Sequence, residues 1–395
     1  MNFDSKKIKL VFWILVGIAL RFFVMTLGHN SDFEAYCTVG KLVNSGKNVY
    51  AETHLYNYGP IFLCIQGSCW WVAKQFGVNC ILIFRILIVG ILTLTDMGIM
   101  WWLIKRYTIN LGLIFFLNPV SIFITGFHNQ FDNIAVFLGL LCVFFYNEEK
   151  KITGKDLCFV IIMSCCLITK HIFFCFPFWI LVKKGLPIMK RCLYSFIPPV
   201  LFLLSFVPFC IGNTDAFNGM VDHVFLYRSI NNSPLLRIVY EVLNVPNSFY
   251  FFVYLGFLLL IPILFRKKSY EYLTILYLIS MVTFASAVAN QYLIIPIVAL
   301  CIFSKGICRN FYFLYAAIFL LLNDCGLNLA SKIVFFQNPQ YDFIRSLLSG
   351  GAAYTILMGI LFIVIIKECI ILLSNEKKDN LMIQKFLEAK VIKYL

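Results

Sequence analysis

The sequence predicts an all-α, polytopic integral membrane protein with about eleven to thirteen transmembrane helices. Three observations predict it. Of 395 residues, 61% are hydrophobic and only 13% are charged, about half the charged share of a soluble domain. The mean hydropathy is +0.86, and many apolar runs are long enough to cross a bilayer. The net charge of +14 is gathered into short Lys/Arg clusters between those runs, as the positive-inside bias requires. The basic balance is therefore a topology signal, and no nucleic-acid partner is expected. Membrane lipid is the expected surrounding, and backbone groups in lipid must bond within their own segment, so the spans should be helices.

Taken in order, the first span covers about residues 10–28 and lacks a small-residue cleavage site, so it is expected to stay as an anchor. Lys6, Lys7 and Lys9 precede it and place the N-terminus on the cytoplasmic side. Residues 29–59 then form a first outer loop. Spans near 60–76 and 81–104 follow, and that count puts Lys105 and Arg106 outside, against the charge rule. Segments 111–126 and those flanking Lys170-His171 look short or broken, which leaves the parity between 77 and 182 open. The second half reads as spans near 196–211, 249–265, 270–288, 292–304, 310–323 and 346–372, with a second outer loop at 212–248 and a cytoplasmic tail at 374–395. No internal repeat or separate soluble domain is visible, so 1–395 reads as one transmembrane domain. Most of the 15 cysteines sit inside apolar runs as small hydrophobes.

The first loop is the most polar island. Asp32 and Glu34 stand two apart at its start, and Ser31-x-x-Glu34 has the spacing of a capping box. Phe33, Tyr36, Cys37, Gly40 and Val43 share one face at helical spacing, and Gly46 stands where the helix would stop. This predicts an amphipathic helix lying in the membrane interface. A turn with Tyr56 and Tyr58 before Pro60 feeds the next span.

Other polar groups interrupt apolar runs, where they are expensive unless they face a cavity or one another. Asn118-Pro119 precedes a knot containing His128, Asn129, Gln130 and Asp132. It reads either as a hydrogen-bonded turn or as a cavity wall. Lys170 and His171 lie in mid-run and are expected to line a polar cavity. Arg85 and Asp96 share one span and read as structural. The second outer loop carries Arg228 and Arg237, suited to phosphate by their bidentate forks, and a formal glycosylation sequon at Asn231-Asn232-Ser233. Gln291 and Tyr292 follow Asn290 at a sharp turn, read either as amide-stabilised or as sugar-binding.

Together these motifs resemble GT-C-fold glycosyltransferases, the membrane class that uses polyprenyl- or dolichyl-phosphate sugars. The acidic pair Asp32/Glu34, the helix after it, Gly46 to Tyr50, and Tyr56-Asn57-Tyr58-Gly59-Pro60 are similar to the family's first loop. Asn118-Pro119 with Asn129 and Asp132 resembles the Asn-Pro…Gly-Asn-x-Asp stretch of the first mannosyltransferase of GPI assembly (PIG-M) and the Gly-Gln-Phe-Asp stretch of bacterial relatives. Ala289-Asn290-Gln291-Tyr292 is similar to the family's Ser-Gln-Tyr turn. The match runs in order over about residues 25–300. It departs at Glu34, where many relatives have a second Asp, and at Gly59.

The resemblance implies a GT-C-like fold with an interfacial helix in the first outer loop. It also implies inverting transfer of a hexose, mannose or glucose, from a polyprenyl- or dolichyl-phosphate sugar to a lipid-linked glycan acceptor on the outer face. In that reading Asp32 is the general base. Glu34 orients it, binds acceptor, or shares a divalent cation (Mg or Mn) with it through oxygen ligands. Arg228, Arg237 or Lys170 meets the donor phosphate. Tyr56, Tyr58, His128, Asn129, Gln130, Asp132, His171, Gln291 and Tyr292 line the substrate site. The expected location is a bacterial inner membrane with the site facing outward, or else an endoplasmic-reticulum membrane with a luminal site. The rivals are a flippase for a lipid-linked saccharide, which should show paired broken helices, and a non-catalytic subunit of a glycan-assembly complex.

Overall fold

The computed structural model describes residues 3–226, 235, 242, 246, 249–285, 287–324, 326–327, 329–333, 337–349 and 351–391. Those residues form helices and turns and contain no strand. The first half comprises α1 (Phe3–Thr26), α2 (Ser31–Asn44), α3 (Val49–Glu52), α4 (Pro60–Ala73), α5 (Cys80–Arg106), α6 (Ile109–Phe116), α7 (Pro119–Phe123), α8 (Asp132–Phe145), α9 (Gly154–Thr169) and α10 (Phe176–Leu181). The second half comprises α11 (Ile188–Leu204), α12 (Val207–Cys210), α13 (Thr214–Met220), α14 (Tyr250–Phe265), α15 (Tyr270–Thr283), α16 (Ile297–Phe303), α17 (Ile307–Asn323), α18 (Leu329–Lys332), α19 (Asp342–Ser349) and α20 (Gly351–Val391).

Four stretches among the described residues are long and apolar enough to span a membrane: Lys7–Thr26, Pro60–Arg106, Ile188–Cys210 and Pro339–Ser374. A fifth arises if Ile109–Phe116 and Pro119–His128, bent by 44°, count as one. The bend falls at Asn118-Pro119, where proline removes a donor and its predecessor is held extended (ψ 128°). Five shorter apolar helices of 10–17 residues are found beside them among the described residues.

Two buried arginines fix the direction of the first passes. Near the C-terminal end of α1, Arg21 pairs with Asp96 of α5 at 2.9 Å. Arg85, one turn into α5, donates to the carbonyl of Gly28 just beyond α1. The helices α1 and α5 therefore run antiparallel, and Lys105 and Arg106 lie at the end where α1 begins. This corrects the span count made from sequence. Residues 60–76 and 81–104 are not two crossings. The short α4 packs against α2, a 3-10 segment with a kink at Gly77 follows, and α5 makes the pass. The charge rule is then obeyed, and the conflict at Lys105–Arg106 disappears.

The same basic end is marked by other contacts. Arg106 pairs with Glu271, Lys183 with Glu148 at 2.8 Å, and Lys184 N–H donates to Arg266 O at 2.8 Å. The Lys183 ammonium holds the loop carboxyl of Glu148 below the usual range. Lys190 and Asp156 pair at 2.6 Å with both side chains fully buried, beside Tyr146 stacked on Tyr270 at 4.2 Å.

Candidate active site

The first loop folds as its pattern requires, with two corrections. The helix α2 covers Ser31–Asn44, and Gly46 follows with a left-handed φ of 69°. Its N-cap is Asn30 and no side chain caps it. Ser31 is already inside the helix, so the capping box is absent, and Glu34 is left exposed. The apolar face is also not open to lipid. Phe33, Tyr36 and Cys37 are buried, with Phe33 against Phe84 of α5 and Tyr36 against Phe62 of α4. The helix is clamped onto protein, which fixes the position of its first turn.

That first turn carries Asp32, half-buried. Its Oδ2 accepts from Asn30 Nδ2 at 2.9 Å and from Gln130 Nε2. Among the described residues its Oδ1 has no partner. Gln130 is itself steadied by Tyr36, whose hydroxyl donates to Oε1 at 3.2 Å.

Gln130 reaches Asp32 because the chain makes a rare turn. Residues Ile124–His128 form a π-helical turn closed by Asn129 at φ 58°, ψ 32°. This is the one non-glycine residue with positive φ among the described residues, and asparagine is among the few that tolerate it. The Asn129 amide is used up locally. Nδ2 donates to Thr125 O at 3.1 Å and Gly126 O at 2.9 Å, and Oδ1 accepts from Arg85 Nε at 3.2 Å. Such π turns are rare and occur frequently at functional sites. The turn throws His128 and Gln130 toward α2 and lets α8 start at Asp132.

Asp132 is fully buried and pairs with Lys170 at 2.8 Å. The Lys170 ammonium also lies 5.0 Å from the Tyr58 ring and 4.7 Å from the Phe131 ring. The second oxygen, Asp132 Oδ1, is buried with no hydrogen-bond partner. His171 follows Lys170 in a 3-10 turn, and its Nδ1 is likewise buried and unpaired. Tyr58 packs edge-on to Phe131 at 4.7 Å and its carbonyl accepts from Tyr50 at 2.9 Å. Tyr56 donates to Gly59 O at 2.7 Å and so locks the turn itself. At Gly59 the turn presses on Ile168 O of α9, and any Cβ would collide with that backbone. The departure from the family pattern at this position thus has a packing reason.

The 3-10 turn Asn290–Ile294 packs on the π turn and on α8. It brings Gln291 and Tyr292 to the polar end, half-buried, and Asn290 Oδ1 accepts from Tyr354. Arg228, Arg237 and the sequon at 231–233 lie outside the described residues. Cys37 and Cys64 are both free thiols.

Three members of the network escaped sequence reasoning. Asn30 joins Asp32 to His128, with Nδ2 lying 2.8 Å from His128 Nδ1. Asp324, after α17, meets His128 Nε2 through Oδ2. Arg21 completes the Asp96 hub. Two of these left a trace in the sequence. Arg21 is the sole charge in the run 10–28, and Asp324 the sole acid between Glu271 and Asp342.

A divalent cation shared by Asp32 and Glu34 does not fit these positions. Residues two apart on a helix do not face each other, and here one is half-buried and the other exposed. No three His, Cys, Asp or Glu among the described residues gather to hold an ion.

The architecture is that of the GT-C fold, a polytopic all-helical membrane class. The crystal structure of apo ArnT from Cupriavidus metallidurans is similar over 91% of this chain and 76% of that one, with a TM-score of 0.50 at 12% identity. No protein-family model matches the sequence, and no curated protein matches it.

Proposed function

We propose that this protein is an inverting membrane glycosyltransferase. It moves a hexose, mannose or glucose, from a polyprenyl-phosphate sugar to a lipid-linked glycan or polysaccharide acceptor on the outer face of a membrane, a bacterial inner membrane in the first instance. The observation that carries the reading is Asp32. One of its oxygens is anchored by two amide donors, and the other has no partner among the described residues. A carboxylate held by one oxygen and offered by the other is what a general base needs. The GT-C likeness agrees with it.

In the reaction Asp32 Oδ1 takes the proton of the acceptor hydroxyl as that oxygen bonds to the anomeric carbon. The bond from that carbon to the lipid phosphate breaks, and its electron pair leaves with the phosphate. Attack opposite the leaving group inverts the anomeric centre. Asp132 Oδ1 and His171 Nδ1, buried and unpaired, suit the hydroxyls of a sugar. Lys170 is already matched by Asp132, so it brings no spare charge to the phosphate. That contact is assigned to Arg228 or Arg237 on sequence grounds. The flippase reading would be favoured by paired broken helices, whereas one bent pair is found among the described residues.

The test is to supply the purified protein with polyprenyl-phosphate mannose and polyprenyl-phosphate glucose plus lipid-linked acceptors. Transfer with inverted anomeric configuration is expected. Exchange of saccharide-lipid across vesicles without transfer would replace this reading with the flippase.

A further inference from the structure

Beside the candidate base runs a chain of polar groups that the proposed reaction does not itself employ. Asp324 Oδ2 meets His128 Nε2. His128 Nδ1 lies 2.8 Å from Asn30 Nδ2, which also donates to Asp32 Oδ2 at 2.9 Å. The inner members are deeply buried: Asp324 is 0% exposed, His128 3% and Asn30 5%. Among the described residues no lysine or arginine pairs with Asp324. Its other oxygen, Oδ1, accepts from Gly326 N–H at 3.0 Å and pins its own turn. A carboxylate buried without a permanent cation is costly unless its bonds are good ones.

The hydrogens along this chain can be placed by elimination. Asp32 accepts, so the Asn30 atom facing it must be its NH2. The same NH2 has a second hydrogen, which points at His128 Nδ1. That ring nitrogen therefore offers its lone pair, which leaves the ring proton on Nε2, the atom in contact with Asp324 Oδ2. The reversed amide would set Asn30 Oδ1 against Asp32 Oδ2, acceptor against acceptor. A carboxylate that orients an imidazole by taking its N–H and fixes its tautomer is a recurrent second-layer device.

We propose that Asp324 is a positioning residue for Asp32, acting through the neutral Nε2–H imidazole of His128 and the amide of Asn30. The proposal rests on the reading of Asp32 as the base. Its effect is geometric. With His128 locked, Asn30 keeps one hydrogen on Asp32 Oδ2, and the free oxygen Oδ1 stays aimed at the acceptor. With Asp324 removed, His128 can take the other tautomer. Its Nδ1–H then turns the Asn30 carbonyl toward itself, and the anchor on Asp32 is lost. The plain alternative is that Asp324 and His128 only pin the end of α17 to the π turn.

Two measurements separate these. The chain has five histidines, so selective 15N-histidine labelling gives few signals, and His128→Gln identifies the one sought. At neutral pH the His128 signal should show Nδ1 unprotonated and Nε2 protonated. An Nδ1–H tautomer or an imidazolium would overturn the proposal whatever the substrate. The second measurement is a cycle of Asp324→Asn and Asn30→Ala with polyprenyl-phosphate mannose as donor. Each single variant should lower kcat about tenfold or more with KM within about twofold, and the double variant should be no worse than the worse single. Losses that multiply, or that fall on KM alone, would assign Asp324 a merely structural role. If Asp324→Asn does not fold, His128→Gln takes its place in the same cycle. Asp32→Asn distinguishes the two layers. If it transfers normally, the base reading fails. If it is dead while Asp324→Asn is fully active, only the positioning role fails.

Discussion

Two buried carboxylates, Asp96 and Asp132, lie in neighbouring helices and are built in opposite ways. Asp96 is closed. Its Oδ2 takes Arg21 Nε at 3.0 Å, Ser121 at 3.1 Å and Thr125 at 2.7 Å, and its Oδ1 takes Asn133 at 2.5 Å. Arg21 is equally occupied, donating to the carbonyls of Gly17 at 3.0 Å and Phe116 at 2.9 Å and lying 4.2 Å over the Phe116 ring. Asp132 has one strong partner, Lys170, and one bare oxygen. Asp32, next to it, repeats the pattern at half-burial. Buried polar groups are normally satisfied, so a saturated hub reads as a clamp and an unsaturated one as a place where a ligand completes the bonding.

The largest effect should come from breaking the closed hub. Asp96→Ala leaves Arg21 buried and uncompensated, at a cost of about 3–5 kcal/mol. It should lower folded yield and melting temperature sharply. The double change Arg21→Met with Asp96→Leu should recover part of that loss, because an ion pair replaced by packed apolar side chains is often near neutral. No recovery would mean that the hub also performs a task beyond clamping.

Lys170→Met strands Asp132, which can take up a proton and stay folded. Melting should fall less than for Asp96→Ala, while donor turnover falls more than the melting loss explains. Equal and parallel losses in the two variants would erase the contrast. Asn129→Gly keeps the left-handed backbone but loses the amide bonds to Thr125, Gly126 and Arg85. It should cost about 1–3 kcal/mol of stability, read by denaturation in detergent. Smallest of all, Glu34→Gln should change stability by less than about 0.5 kcal/mol and leave transfer within a few-fold, because Glu34 is exposed and caps nothing.

The fold class was legible because hydropathy and charge clusters are local signals. So were α2 and its stop before Gly46, the Tyr-rich turn, and the polar knot at 126–133. The knot proved to be a hydrogen-bonded turn, held by the amide of Asn129. What the sequence hid was set by distance in the chain. Nothing near Asp324 announces His128, and nothing near Arg21 announces Asp96. The miscount at 60–104 has the same origin. The run of α4 is apolar enough for a span, and only its packing against α2 shows that it does not make the pass alone. The amphipathic face of α2 suggested lipid, since a periodic stripe cannot say whether lipid or protein covers it.

The most direct measurement is single-turnover hexose transfer by Asp32→Asn beside the wild-type protein, with melting curves for both. The substitution keeps the shape of the side chain and removes the base. Transfer should fall about 10²–10⁴-fold with the melting temperature nearly unchanged. Full transfer by a folded Asp32→Asn protein would contradict the account.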